Sequence, residues 1–174
     1  LRGEQLIEQL NPLLNRLEQP LAISHIEICL ADDTAALVIR HPKPLITADQ
    51  DALINLTAEL GFVLYLQPAG PDSLYPAVPD KTLPLSYVLP EQQLQLQFQP
   101  QDFTQINPQI NQQMINLALA LLQPGPEDRI LDLFCGLGNF TLPLARQAKE
   151  VVGIEGVEAM VERGRANAAL NQLD

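Results

Sequence analysis

A glycine loop at residues 134–139 constrains the fold of this chain more than any other feature. The apolar run from Ile130 to Leu133 precedes it and is typical of a buried parallel strand, and a second apolar run ends at Glu155. Gly136 and Gly138 let the backbone turn sharply and approach a ligand that a Cβ atom would block. The pattern therefore predicts a strand–loop–helix–strand unit, in which ligands bind beyond the carboxyl ends of the strands.

The acidic residues around the loop indicate which ligand it binds. A carboxylate about twenty residues after a glycine loop, here Glu155, can accept hydrogen bonds from both hydroxyls of a ribose. A dinucleotide loop needs glycine where Thr141 stands, and Asp132 would repel a pyrophosphate. S-adenosylmethionine carries an ammonium group and no phosphate, so it suits both Asp132 and Glu155. The competing interpretation is a connector loop with an exposed Glu155.

Three stretches of the sequence resemble one known family. Asp132–Ala145 is similar to the cofactor loop of the bacterial RNA uracil-C5 methyltransferases, most closely those that carry an iron–sulfur cluster and modify 23S ribosomal RNA. Asp102–Asn107, followed by Asn111–Met114, resembles the segment that lies against the cofactor in this family. Val152–Val157 resembles its ribose-binding strand end. The similarity is clear from about residue 98 onwards and fainter before it.

The resemblance adds cofactor contacts to those that the residues themselves suggest. It implies roles for Gln105, for the backbone carbonyl of Phe134 and for Asn139. The complete predicted cofactor site consists of Gln105, Asp132, Phe134, Gly136, Gly138, Asn139 and Glu155. Simpler roles remain open for three of these residues: Gln105 could bond a turn, Phe134 could belong to the core, and Asn139 could cap the helix that follows.

The resemblance also implies the fold class. We expect an α+β central domain over residues 1–100, then the first half of a Rossmann-like α/β class I methyltransferase domain over residues 101–174. The family's nucleophile and general base lie on later strands, so the chain is expected to be an internal fragment without catalytic residues. The resemblance also implies an iron–sulfur cluster in the full-length parent enzyme. The cysteines that hold this cluster are expected outside this chain as well, and no metal site is predicted within it.

Periodicity predicts the individual elements. The first part is predicted to begin with a helix that Pro12 kinks and a hairpin that turns at Asp32 and Asp33. A second helix follows, with Thr47 as its N-cap and Gly61 as its stop, and then a third strand. Residues 67–92 are predicted to form loops with short strand pieces. The remaining expected elements are a strand at Leu94–Phe98, a helix from Pro108 to about Leu122, and the two strands that flank the glycine loop.

Composition indicates the environment of the protein. The hydrophobic content of 47% can form a core, no apolar stretch is long enough to span a membrane, and the two cysteines have no metal-ligand spacing. A reducing cytoplasm is the expected location. The formal net charge is −11, and residues 1–100 hold five basic against twelve acidic side chains. Because phosphate contacts need Lys and Arg, we expect other parts of the parent to hold most of the ribosomal RNA.

The predicted function is S-adenosylmethionine-dependent C5-methylation of a uridine in 23S ribosomal RNA by the parent enzyme. The alternatives are a related transfer RNA uracil-5-methyltransferase and a non-catalytic RNA-modification scaffold. Cys135 is expected to be a packing residue and not the nucleophile, and Cys29 a core residue. The strand that precedes the glycine loop is expected to have one edge without a partner strand, and the isolated fragment is expected to self-associate through that edge.

Overall fold

The chain forms two compact units, Leu1–Leu85 and Ser86–Asp174. The structure, a computed structural model, describes residues 2–79 and 84–173, with the side chains of the first helix described from residue 3. The division falls earlier than the boundary near residue 100 that the sequence suggests. The physical reason is that the strand at Leu94–Phe98 is hydrogen-bonded to the last helix, so it belongs to the second unit.

The first unit packs two helices against a four-stranded mixed sheet. Its elements are α1 (Arg2–Leu14), β1 (His25–Leu30), β2 (Ala35–Arg40), α2 (Thr47–Leu60), β3 (Phe62–Gln67) and β4 (Tyr75–Pro76). The strand order is β1-β2-β3-β4; β2 and β3 are parallel and the other two pairs are antiparallel. Helix α2 therefore forms the crossover that parallel neighbours require.

One face of this sheet supplies the core of the first unit. The buried cluster consists of Leu6 and Leu10 from α1, Leu53 from α2, and Ala35, Leu37, Ile39, Phe62, Leu64 and Leu66 from β2 and β3. Alternate residues of β2 and β3 point to the same face, which is why this set has a period of two. Asp49 in α2 is buried as well, because its carboxylate accepts hydrogen bonds from the backbone N–H groups of Glu18 and Gln19.

Most of the predicted elements of the first unit are confirmed. The hairpin pairs Leu30 with Ala35, and Gly61 ends α2 in the left-handed conformation at φ 72°. The predicted N-cap was wrong: Thr47 is the first helical residue, and the N-cap Ile46 makes no side-chain capping bond. Pro12 lies inside α1, two residues before its end. The predicted loop region, residues 67–92, contains two short strands, β4 and β5 (Leu85–Leu89); its residues 80–83 lie outside the described residues.

The second unit contains a hairpin followed by the glycine-loop unit. Its elements are β5 (Leu85–Leu89), β6 (Leu94–Phe98), α3 (Pro108–Leu122), β7 (Arg129–Leu133), α4 (Thr141–Ala145), β8 (Glu150–Ile154) and α5 (Glu158–Leu170). Strand β5 pairs with β6, and β7 pairs in parallel with β8. The strict alternation predicted for β6 is confirmed, since Leu94, Leu96 and Phe98 are buried while the glutamines between them are exposed.

Local sequence explains where the helices of the second unit begin. The side chain of Asn107 accepts a hydrogen bond from the N–H of Ile110 at 3.0 Å, and Pro108 occupies the first turn of α3, where a missing N–H costs nothing. Helix α4 has only five residues and contains Pro143. One face of the β7–β8 pair is exposed; it carries Leu131, Leu133, Val152 and Ile154.

Candidate cofactor site

Three residues of the glycine loop adopt left-handed backbone conformations. Phe134, Gly136 and Gly138 have φ values of 61°, 55° and 101°. For a bulky residue such as Phe134 this conformation costs on the order of 1–3 kcal/mol, and residues strained in this way cluster at functional sites. Phe134 is also 89% exposed as a residue, so it does not belong to the core. The interpretation of Phe134 as a core residue is therefore wrong.

The carboxylate of Glu155 is held by backbone N–H groups. Its Oε2 accepts a hydrogen bond from Gly136 at 3.0 Å, and its Oε1 accepts from Gly156 at 2.8 Å and from Val157 at 3.0 Å. These bonds, that from Val157 first and that from Gly136 second, lower the pKa of Glu155. Glu155 thus joins the glycine loop to the carboxyl end of β8 and stays charged at neutral pH.

The same bonds limit what Glu155 can accept from a ligand. A carboxylate offers about four lone-pair sites, two on each oxygen. Oε1 already receives two N–H groups and Oε2 one, so a single site remains, on Oε2. One ribose hydroxyl can be accepted without displacing a backbone amide. Accepting both hydroxyls, as the sequence suggested, requires one of the three amide bonds to be released.

Asp132 lies at the carboxyl end of β7 and contacts the start of α4. The hydroxyl of Thr141 donates a hydrogen bond to its Oδ2 at 2.6 Å. Thr141, the residue that distinguishes this loop from a dinucleotide loop, therefore orients the carboxylate that was predicted to lie near an ammonium group. Both residues are only partly buried, so Asp132 remains accessible to a ligand.

Asn139 takes part in a network that fixes the end of the loop. It exchanges two hydrogen bonds with Asn111 of α3, at 2.8 and 3.0 Å, and its Oδ1 also accepts the hydroxyl of Tyr87 at 2.8 Å. The capping interpretation is wrong, because the N-cap of α4 is Phe140 and no side chain caps that helix. Burial raises the pKa of Tyr87, which keeps its hydroxyl protonated as a donor. Tyr87 is a contributor that no sequence pattern indicated.

Gln105 lies in an exposed segment, and no hydrogen bond joins it to the glycine loop within the described residues. Its segment is nevertheless anchored. The carboxylate of Asp102, whose side chain is 2% exposed, contacts Arg163 of α5, with 2.8 Å from Nη2 to Oδ1 and 2.5 Å from Nε to Oδ2. The exposed neighbours Phe103 and Ile106 leave apolar surface beside Gln105. The structure thus brings six of the seven predicted residues together. Five lie in the glycine loop and the end of β7, and Glu155 is hydrogen-bonded to that loop; Gln105 is the exception.

Cys135 has the environment of a packing residue. Burial, and then the negative charges of Asp132 and Glu155, raise the pKa of its thiol, whereas a nucleophilic cysteine needs a lowered one. A Cβ atom on Gly153 would lie 2.8 Å from its sulfur, so the glycine of β8 provides the space that Cys135 fills. Cys29 is also unsuited to be a nucleophile, because burial raises its pKa to about 11.

Among the described residues, no group of three or more His, Cys, Asp or Glu side chains is arranged to hold a metal ion. Within residues 2–79 and 84–173, no helix has both the length and the apolar character that crossing a membrane would require.

Known proteins match this chain in sequence and in fold. The sequence model of the tRNA (Uracil-5-)-methyltransferase family matches residues 82–174. The 23S rRNA (uracil(1939)-C(5))-methyltransferases RlmD of Xanthomonas campestris pv. campestris strain 8004 and of Hahella chejuensis are 49% and 50% identical to it. These matches cover 99% and 96% of this chain and 38% of each relative, so the chain spans well under half the length of these relatives.

The solved structures support the fold alone. The Pyrococcus abyssi tRNA (uracil-54, C5)-methyltransferase in complex with S-adenosyl-L-homocysteine superimposes with a TM-score of 0.57 at 16% identity, covering 81% of this chain and 34% of that one. The M. jannaschii tRNA m1G37 methyltransferase gives 0.57 at 13% identity, covering 99% and 49%. These neighbours share a Rossmann-like fold. The family predicted from the sequence is confirmed: the chain belongs to the tRNA (uracil-5-)-methyltransferase family.

Proposed function

We propose that this chain is the cofactor-binding part of an enzyme that methylates C5 of a uridine in 23S ribosomal RNA. S-adenosylmethionine is the proposed methyl donor. The proposal concerns the full-length enzyme, because the chain spans only 38% of the relatives that bear this activity in their names. The unit Leu1–Leu85 would form a central module, and the unit Ser86–Asp174 would contain the first half of the methyltransferase domain.

The observation that carries the proposal is the charged Glu155 at the carboxyl end of β8. It lies beside a loop whose Phe134 is strained and exposed, at the edge of a parallel sheet where ligands bind. A structural carboxylate alone would account for the amide bonds. It would not account for the strain at Phe134, which costs free energy and is kept where function requires it.

The residues of the site suit the chemical groups of S-adenosylmethionine. The remaining lone-pair site of Glu155 suits a ribose hydroxyl, and Asp132, oriented by Thr141, suits the ammonium group. Gly136 and Gly138 let the loop backbone approach the ligand closely, and Gln105 and Asn139 would line the site. When bound, S-adenosylmethionine supplies an electrophilic methyl group on a positively charged sulfur.

The chemistry on the uracil ring also requires a nucleophile and a base. A thiolate must add to C6, so that C5 can attack the methyl group, with S-adenosylhomocysteine as the leaving group. A base must then remove the C5 proton, which restores the C5–C6 double bond and releases the thiolate from C6. Cys135 does not meet the first requirement, because its thiol pKa is raised and its side chain packs against Gly153. We therefore propose that both groups lie in other parts of the full-length enzyme, and that this chain alone is inactive.

Ribosomal RNA is the proposed substrate, and the cytoplasm the proposed location. The relatives that are 49–50% identical are named for 23S ribosomal RNA, which favours it over transfer RNA. The net charge of −11 supports the view that other parts of the enzyme contact most of the phosphates. An iron–sulfur cluster does not fit this chain, because a cluster takes about four cysteine ligands and the chain has two cysteines.

The experiment is a methyl-transfer assay with the full-length enzyme proposed to contain this chain. It would be incubated with radiolabelled S-adenosylmethionine and either a 23S ribosomal RNA transcript or a transfer RNA pool. Label on C5 of a uridine in the 23S transcript is the expected result. Label on transfer RNA alone would favour the related transfer RNA enzyme, and no label with cofactor bound would favour a non-catalytic scaffold.

A further inference from the structure

Helix α5 carries a stripe of polar residues that face inward. Arg163, Asn167 and the C-cap residue Asn171 are spaced four residues apart, so they lie on one side of the helix. Asn167 is 1% exposed and Asn171 is 9% exposed. Buried amide side chains need hydrogen-bond partners, and both residues have them.

The two asparagines replace a neighbouring strand at the edge of β6. Asn167 accepts from the N–H of Gln97 at 2.8 Å and donates to its carbonyl at 3.0 Å. Asn171 does the same with Gln95, at 2.9 and 2.7 Å. Because Gln95 and Gln97 are two residues apart, their backbone groups point to the same edge of the strand. That edge is therefore paired with a helix instead of another strand.

Asn167 alone extends this arrangement to the cofactor loop. Its Nδ2 also donates to the carbonyl of Leu137, at 3.2 Å. The helix lies close to the loop backbone at this point: a Cβ atom on Gly164 would lie 3.5 Å from the carbonyl oxygen of Gly136. Asn171 instead gives its second hydrogen bond to the carbonyl of Asn167, at 2.7 Å. Of the two asparagines, therefore, Asn167 bonds to the loop, whereas Asn171 gives its corresponding bond to the helix itself.

The first residue of the stripe holds the other segment proposed to contact the cofactor. Arg163 pairs with the buried Asp102, three residues before Gln105. Asp102 also accepts from the N–H of Gln99 at 2.7 Å, which fixes the turn after β6. One face of α5 thus contacts β6, the segment of Gln105 and the glycine loop.

We propose that Asn167 is a positioning residue, which fixes the cofactor loop against β6 through the Leu137 carbonyl and so keeps the loop in its binding conformation. The proposal rests on the proposed function, in which this loop binds S-adenosylmethionine. Loss of the bond would leave a buried carbonyl in the loop without its donor, and the loop would leave the binding conformation more often. Asn167 would touch no part of the cofactor itself.

The test compares Asn167→Asp with Asn171→Asp in the full-length enzyme. Each change keeps the oxygen that accepts from β6 and removes a donor to two carbonyls, so the two variants are matched in chemistry. Only Asn167→Asp removes a donor from the loop. Urea unfolding establishes that both variants fold and how much stability each loses. If either aspartate variant does not fold, the pair Asn167→Ser and Asn171→Ser replaces it.

Two readouts separate positioning from general stability. In Asn167→Asp, hydrogen exchange of the loop amides 135–139 should be faster, and the KM for S-adenosylmethionine should rise about fivefold to tenfold with little change in kcat. Asn171→Asp should lose a similar amount of stability. Its loop amides should exchange at the same rate as in the unsubstituted full-length enzyme, and its KM should be unchanged. Equal exchange and equal KM in the two variants would overturn the proposal. If the unsubstituted full-length enzyme bound no S-adenosylmethionine, the proposed function would fail. The comparison of hydrogen exchange in the two variants would still decide the role of Asn167.

Discussion

Replacing Gly153 by alanine should destabilise the second unit through one identifiable contact. The new Cβ atom would lie 2.8 Å from the sulfur of Cys135, 3.1 Å from its Cβ and 3.4 Å from Cγ2 of Thr141. Cys135 cannot shift freely, because its N–H donates to the carbonyl of Ile154 at 3.1 Å. Some part of the β8–loop contact must therefore move.

The size of the effect follows from two opposing contributions. Overpacking of this kind costs about 1–3 kcal/mol, whereas removing a glycine from a strand interior recovers about 0.5–1 kcal/mol. We expect a net loss of about 1–2 kcal/mol in the free energy of unfolding. Gly156→Ala is the matched control, since its Cβ would meet no atom within 4 Å, and it should change stability by less than about 0.5 kcal/mol.

Urea unfolding of the three proteins measures the difference. A double variant, Gly153→Ala with Cys135→Ala, tests the cause directly. It removes the 2.8 Å contact and leaves the one at 3.1 Å, so it should recover part of the lost stability relative to the sum of the single changes. Equal stability of the Gly153→Ala and Gly156→Ala variants, or additive single effects, would refute the packing role assigned to Cys135.

Three other predictions concern charge, chemistry and association. The folded-state pKa of Glu155 is lowered, so its contribution to stability is complete above the ordinary pKa of 4.5 and is lost as the pH falls through the folded-state pKa. Glu155→Gln should therefore reduce the pH dependence of the free energy of unfolding in acid. In the full-length enzyme, Cys135→Ser should keep methyl transfer within about an order of magnitude of normal, and total loss with cofactor still bound would make Cys135 the nucleophile. The isolated chain should self-associate in sedimentation experiments through the apolar face and edge of β7 and β8, whereas a monomer at all concentrations would contradict this.

The glycine-loop unit could be predicted from the sequence, because its main residue types each have one physical reason. The glycine pair and the apolar runs predicted the β7–loop–β8 unit, because positive φ values favour glycine and parallel strands favour apolar residues. The expected burial of these strands was wrong, since one face of the pair is exposed. The position of Glu155 followed from its spacing. Its three amide partners did not, since they depend on how the backbone after β8 turns back towards the loop.

What the sequence missed are contacts between residues far apart in the chain. Neither Asn167 nor Asn171 was predicted from the sequence, and only the placement of β6, 70 to 76 residues earlier, makes them buried partners. Their spacing of four residues was the available signal, strengthened by the fact that asparagine is a poor helix former. The strain at Phe134 had no sequence signal, because a phenylalanine at positive φ is the exception to the glycine rule.

The most direct test of the central claim is calorimetry of S-adenosylmethionine with the full-length enzyme proposed to contain this chain. Glu155→Ala removes the carboxylate at the end of β8, and Glu158→Ala, in the first turn of α5, removes the same charge three residues away. We predict that Glu155→Ala raises the dissociation constant at least about tenfold, because a charge-assisted hydrogen bond and the support of the loop are both lost. Glu158→Ala should leave the constant within about twofold of the parent value. Equal constants for the parent enzyme and Glu155→Ala would contradict the assignment of this loop and strand end as the cofactor site.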